Sequence, residues 1–156
     1  MTPTRGDDVG AVIERLDELR PESINSLVAE SEQAGHGFVR RLAEEFSSGR
    51  NRFDRPGEAL FAATLRGRMV GVCGLNIDPY ASAPAVGRVR HLYVLIEHRH
   101  LGVGRQLVGE IIRVARESFE TLRLRTNNPA AARLYERMGF RRCDAADDCS
   151  HLMELR

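Results

Sequence analysis

The stretch RHLGVGRQL, Arg99 to Leu107, decides how this chain is read. It sets two glycines between arginines, and an apolar stripe at helical spacing follows through Leu107, Val108, Ile111, Ile112 and Ala115. That stripe predicts a helix opening at Val103, so the glycines lie at a helix N-terminus. Just upstream, RVRHLYVL, residues 88–95, has the composition of a strand. A strand, a glycine loop and a helix start make an anion site, because unpaired N–H groups point outward and the helix dipole favours negative charge. Gly102 and Gly104 present no β-carbon to hold an anion away, and Arg99 and Arg105 add mobile positive charge. A turn that holds no ligand satisfies the same pattern.

Spacing removes two nucleotide-binding readings. A P-loop needs a lysine followed by Ser or Thr, and this chain has no lysine: its 23 basic side chains are all arginine. A dinucleotide fingerprint needs a third glycine at position 107, which is Leu107. It also needs an early βαβ unit, whereas this loop begins two-thirds of the way along the 156 residues.

Outward from the loop, the chain reads as a mixed α/β protein in one domain, residues 1–156. Residues 11–19, AVIERLDEL, suit a short strand or a helix equally. Pro21 opens a helix bearing Ile24, Leu27 and Val28, and a second helix carries Phe38, Leu42, Ala43 and Phe46. After the loop RNRFDRPG come two strands, EALFAATL and RMVGVCGLNI, joined by a turn at Gly67. DPYASAPAVG leads into the strand before the glycine loop. Beyond the long helix lie TLRLRT, read as a strand, and a helix that Asn128 caps, Pro129 opens and Gly139 closes. Phe140 to Cys143 and Ser150 to Leu155 read as closing strands around the acidic connector DAADD. The central hairpin argues against a purely parallel, doubly wound sheet.

A formal net charge of +1 gives no bulk attraction to nucleic acid or membrane, so neither is expected as a partner. The polar start MTPTRGDDVG is not that of a signal peptide, and no apolar run reaches membrane-spanning length. Cys73, Cys143 and Cys149 form no CxxC pair and read as reduced thiols of a cytoplasmic protein, with no metal site.

Two motifs carry a family resemblance. LYVLIEHRHLGVGRQLV resembles motif A of the GNAT (GCN5-related N-acetyltransferase) superfamily, with Arg99, Gly102 and Gly104 matching its Arg/Gln-x-x-Gly-x-Gly/Ala pattern. NNPAAARLYERMGF resembles motif B through Asn128, Ala131, Tyr135, Gly139 and Phe140. The resemblance implies a central, largely antiparallel splayed sheet flanked by helices, and acetyl-CoA as cofactor. It implies that amides of Arg99, His100, Leu101, Gly102, Val103, Gly104 and Arg105 hold the CoA pyrophosphate. Pantetheine would lie where two parallel strands part, against strand backbone near Val94 and Ile96. Asn128 would bond pantetheine as well as, or instead of, capping its helix.

The implied reaction is acetyl transfer to the primary amine of a small molecule, by direct attack in a ternary complex. Alternatives are a protein lysine or N-terminal acetyltransferase, and a non-catalytic acyl-CoA-binding module. Tyr135 is the family's acid for the leaving sulfur; as a residue on an apolar stripe it also suits a core. His91 has the right intrinsic pKa, about 6.5, for a base. Val89 and Tyr93, its neighbours in the pleat, would turn it into packing instead. Relatives often carry their base nearer Arg88 and Arg90, where arginine cannot serve. A water chain ending at Glu58, Asp78 or His151 is the other route for the proton. Arg88 and Arg90, with Arg52 and Arg55, would line the acceptor end and favour an amine bearing a carboxylate or phosphate. Asn76 and Asp78 would supply polar contacts to the amine. Each of these also reads as a solvated strand face or a turn. The closing strands offer a surface for a homodimer.

Overall fold

A computed structural model describes residues 10–83, 85–144 and 148–155. The readings made on the first nine residues, on Pro84 and on the middle of the acidic connector lie outside the described residues.

The ambiguous first segment is a strand, β1 (Val12–Arg15). It is held by antiparallel pairing to β2 (Ala59–Leu65), where Val12 faces Thr64 and Arg15 faces Phe61. That long-range partner lies far outside any local window, which is why periodicity leaves the segment undecided. Two helices follow. In α1 (Pro21–Gln33) proline occupies the first turn, and Ile24, Leu27, Val28 and Ser31 are buried. In α2 (Phe38–Ser48) the buried face is Val39, Leu42 and Phe46, and Gly49 ends the helix in the left-handed conformation, φ 81°.

β2 and β3 (Arg68–Ile77) form the central hairpin. Arg66 and Gly67 between them both have positive φ, 53° and 79°, as a two-residue turn matched to strand twist requires. β4 runs over Val86–Val94, two residues earlier than the sequence pattern suggests. After a short 3₁₀ turn, Ile96–His98, come α3 (Val103–Ser118), β5 (Thr121–Leu124), α4 (Pro129–Arg137), β6 (Arg141–Arg142) and β7 (His151–Glu154). The strands make one seven-stranded sheet in the order β1-β2-β3-β4-β5-β7-β6. Among the described residues only β4 and β5 run parallel, joined through the α3 crossover. This is the mixed α/β, largely antiparallel architecture that the sequence predicts. No helix among the described residues is long and apolar enough to cross a membrane.

The core lies on both faces of the sheet. A β-carbon on Gly71 would come within 3.1 Å of Leu107 of α3, whereas one on Gly74 would come within 2.5 Å of the Phe53 ring. Side chains alternate along a strand, so α3 covers the face of Gly71 and Cys73, and the other face belongs to α1, α2 and the Phe53 loop.

Candidate active site

Two strands part in this sheet. β4 and β5 pair at Val86–Thr121, Gly87–Leu122 and Arg88–Arg123, so among the described residues Val89 to Val94 has β3 on one side and no strand on the other. The Leu95 N–H donates to Val70 O at 2.9 Å. Bonding alternates along an antiparallel pair, so the N–H and C=O of Val94 turn away from β3, toward the side that β5 has left. There Val94 O accepts a bond from Arg99 Nε at 2.8 Å.

The glycine loop abuts this opening. Gly102 is left-handed at φ 86°, with no atom within 4 Å of where its β-carbon would stand. No side chain caps α3, and its first backbone bond runs from Gln106 N to Gly102 O. The amides of Val103, Gly104 and Arg105 therefore have no intrahelical acceptor and are free to hold an anion. Gly104 also has a packing role. A β-carbon there would lie 3.3 Å from Leu134 Cδ2, so the glycine lets α4 pack close against α3. Arg99, though exposed, is engaged: besides its bond to Val94 O, its guanidinium lies over the Tyr93 ring at 5.2 Å. Arg105 is exposed, as are His100 and Leu101.

Ile96 N–H is already engaged. It donates to Glu30 Oε2 at 3.0 Å, and the same oxygen accepts the Tyr93 hydroxyl at 2.6 Å. Burial, then the Glu30 carboxylate, push the Tyr93 phenol up to about 12. Glu30 ties α1 to the end of β4, and sequence reading misses it because it stands beside, not on, the helix's apolar stripe.

From α4, Tyr135 is buried edge-on to Phe140, with ring centroids 5.5 Å apart. Burial, with the neighbouring Cys73 sulfur adding to it, holds its phenol well above the ordinary value of 10. Tyr135 therefore stays protonated at any working pH. The Cys73 thiol is itself raised to about 12 by burial and forms no thiolate nucleophile. Asn128 caps α4, its Oδ1 accepting from Ala130 N at 2.9 Å and Ala131 N at 3.3 Å.

His91 lies at a break in β4. Val72 pairs with Tyr93 but Gly74 with Arg90, so two residues of β4, His91 and Leu92, stand opposite Cys73. This is a β-bulge, and His91 carries its positive φ of 63°. The bulge corrects the simple pleat. Val89 follows Leu75 onto the α3 face, while Arg90, His91 and Tyr93 all face α1 and α2. There the imidazole stacks on Phe38 at 6.4 Å and meets Phe53 edge-on at 6.3 Å. It is 9% exposed, and its Nε2 is buried without a hydrogen-bond partner. Burial first, then the charges of Arg90 and Arg41, drive its pKa down to about 3. At neutral pH it is uncharged.

The remaining polar candidates are engaged in structure. Asp78 pairs with Arg88 at 3.5 Å and Arg123 at 3.4 Å, and Arg88 also donates to Asp148 O at 2.8 Å. Asn76 and Asn51 exchange amide bonds of 3.0 Å, and Arg90 donates to Asn76 Oδ1 at 3.4 Å. Glu58 is buried, which alone would raise its pKa. Bonds from Ile77 N, the Asn76 side chain and Arg55 outweigh that and lower it. His151 is held between Ser150 and Glu136, both at 2.9 Å. Arg52 donates to Phe46 O at 3.2 Å.

Known proteins share this fold. The family model described as the acetyltransferase (GNAT) family matches residues 22–140. A crystal structure of a protein from Exiguobacterium sp. 255-15, assigned as an acetyltransferase, is similar at 26% identity and TM-score 0.82, over 92% of this chain and 93% of that one. A GNAT-family acetyltransferase from Staphylococcus aureus Mu50 matches in fold at 17% identity and TM-score 0.71, over 93% of this chain and 100% of its own. The GNAT-family N-acetyltransferase YhbS from Escherichia coli, solved in complex with CoA, matches in fold at 18% identity and TM-score 0.70, covering 100% of this chain and 85% of that one. With parted strands, an uncapped helix start and both motifs on one sheet, this chain belongs to the GNAT family of acetyltransferases, whose acyl donor is acetyl-CoA.

Proposed function

We propose that this chain transfers an acetyl group from acetyl-CoA to the primary amine of a small molecule, by direct attack in a ternary complex. The observation that carries the reading is the parting of β4 from β5 after Arg88–Arg123, beside the open N-terminus of α3. The residues present fit the cofactor. The amides of Val103, Gly104 and Arg105 and the unobstructed Gly102 would hold its pyrophosphate, with Arg105 as counter-charge.

Bound acetyl-CoA supplies an activated thioester. The Val94 N–H is the backbone donor for the acyl oxygen, in the manner of an oxyanion hole. Tyr135, kept protonated by burial, donates to the leaving sulfur, whose thiol pKa is near 8.5. An alkyl ammonium has a pKa of about 10 and must lose a proton before it can attack. His91 is the positioning group we assign: its neutral, unpartnered Nε2 accepts a hydrogen bond from an amine N–H. With a pKa of about 3 it does not take the ammonium proton, which passes to solvent before attack. The enclosure of His91 by Phe38 and Phe53 supports a small acceptor over a polypeptide.

The test is thiol release from acetyl-CoA against amino acids, polyamines, aminoglycosides and short peptides, with calorimetric CoA binding alongside. Turnover is expected with one class of small amine. Tyr135→Phe should lower kcat by about 10²- to 10⁴-fold while CoA still binds. CoA binding without turnover of any amine would sink the enzymatic reading, and absence of CoA binding would sink the cofactor site too.

A further inference from the structure

Charge is distributed unevenly on the α1–α2 face of β4. Arg88 and Arg123 share Asp78, Arg55 is paired with Glu58, and Arg40 of α2 is paired with Glu32. Arg90 and Arg41 have no carboxylate partner among the described residues; Arg90 makes only the long bond to Asn76 Oδ1. Both belong to one place. Arg90 precedes His91 on the bulged strand, facing the same way. Arg41 lies one turn beyond Phe38 on α2, and the Phe38 ring stacks on His91. Between them sits an imidazole more than nine-tenths buried, whose Nε2 has no partner. Arg41 is exposed and Arg90 half-buried, so both can turn their charge toward this ring, where no carboxylate among the described residues answers it.

We infer that Arg41 and Arg90 form an oxyanion clamp beside His91, and that the acceptor is a small amine carrying a carboxylate or phosphate. This rests on the acetyltransferase reading. The clamp retains Arg90 from the cations the sequence suggested and adds Arg41, because Arg88, Arg52 and Arg55 are engaged elsewhere.

The test compares matched acceptors: O-phosphoethanolamine and β-alanine against ethanolamine and β-alaninamide, with spermidine as a cationic control. The anionic members should have kcat/KM about 10- to 100-fold above their neutral partners. Arg41→Gln, at an exposed position, and Arg90→Gln should each collapse that ratio, and Arg90→Lys should retain part of it. A second readout needs no cofactor: O-phosphoethanolamine should shift the ¹⁵N-imidazole signal of His91, and ethanolamine should not. The clamp is overturned if ethanolamine or spermidine turns over as well as the anionic amines, if the ratio survives both glutamine variants, or if the His91 signal stays still. Loss of turnover on every amine, with the His91 shift intact, would strike the acetyltransferase reading and leave the anion site standing.

Discussion

At the scale of single residues, His91 shows how far a local break can redirect chemistry. Its composition-level reading is a strand residue that titrates near neutrality. The bulge puts it in left-handed backbone and under two aromatic rings, and burial plus two arginines lower its pKa to about 3. This has a thermodynamic consequence. In the unfolded chain the ring takes a proton near pH 6.5, while in the fold it does not until about pH 3. Between those values the unfolded state binds more protons, so stability falls as pH drops. From pH 6.5 to pH 5 the loss is about 1.6 kcal/mol, before carboxylates begin to titrate. His91→Asn, chosen because asparagine tolerates positive φ, should flatten the dependence of the urea midpoint on pH across that window. Equal slopes in the two proteins would show that the buried imidazole is not held neutral.

Elements differ in how much of them a sequence can reveal. α4 was fully legible, because a cap, a first-turn proline and a closing glycine are local signals. Asn128 does accept from Ala130 N and Ala131 N, and Gly139 has φ 107°. Replacing Asn128 by alanine should cost about 1 kcal/mol, a fall of roughly 2–4 °C in Tm for a chain of this size, and Asn128→Asp should keep the cap. An unchanged Tm in the alanine variant would mean that the α4 N-terminus contributes nothing to the cooperative unit. α3 and its glycine loop were legible for the same local reason, and so was the hairpin at Gly67. β1 was not, because its partner in β2 is some fifty residues away. Nor was the bulge in β4, since an extra residue opposite Cys73 is a relation between two strands. The reasons for individual glycines were hidden likewise. Gly74 reads as an ordinary strand residue, yet the Phe53 ring fills the space above it. The place of Tyr135 on α4 is legible in its motif, whereas Glu30 and Arg41 become visible only once α1 and α2 lie against the sheet.

For the whole molecule, the parted strands pose a mechanical problem: a sheet that opens at one end must be held firmly at the other. Asp78, at the end of β3, supplies the pin. Its carboxylate is fully buried and reaches both Arg88 of β4 and Arg123 of β5, the last pair before those strands separate. Arg123 continues to Asp148 at 2.5 Å, and the Arg88 guanidinium lies over the Tyr80 ring at 4.7 Å. Three strands therefore meet in one ionic cluster at the fork. A buried pair adds little net stability over apolar packing, but removing one partner strands the opposite charges in a dry site. Asp78→Ala leaves two guanidiniums without their shared carboxylate and should cost about 3–5 kcal/mol. The exposed Arg113–Glu110 pair on α3, 2.7 Å long, is the internal control, since breaking a solvent-screened pair should leave the midpoint nearly unchanged. Denaturant midpoints of the two variants measure both. If Asp78→Ala cost no more than Glu110→Ala, the cluster would be solvated rather than buried, and the fork would have to be held by the apolar packing of Phe119 beneath Gly87 instead.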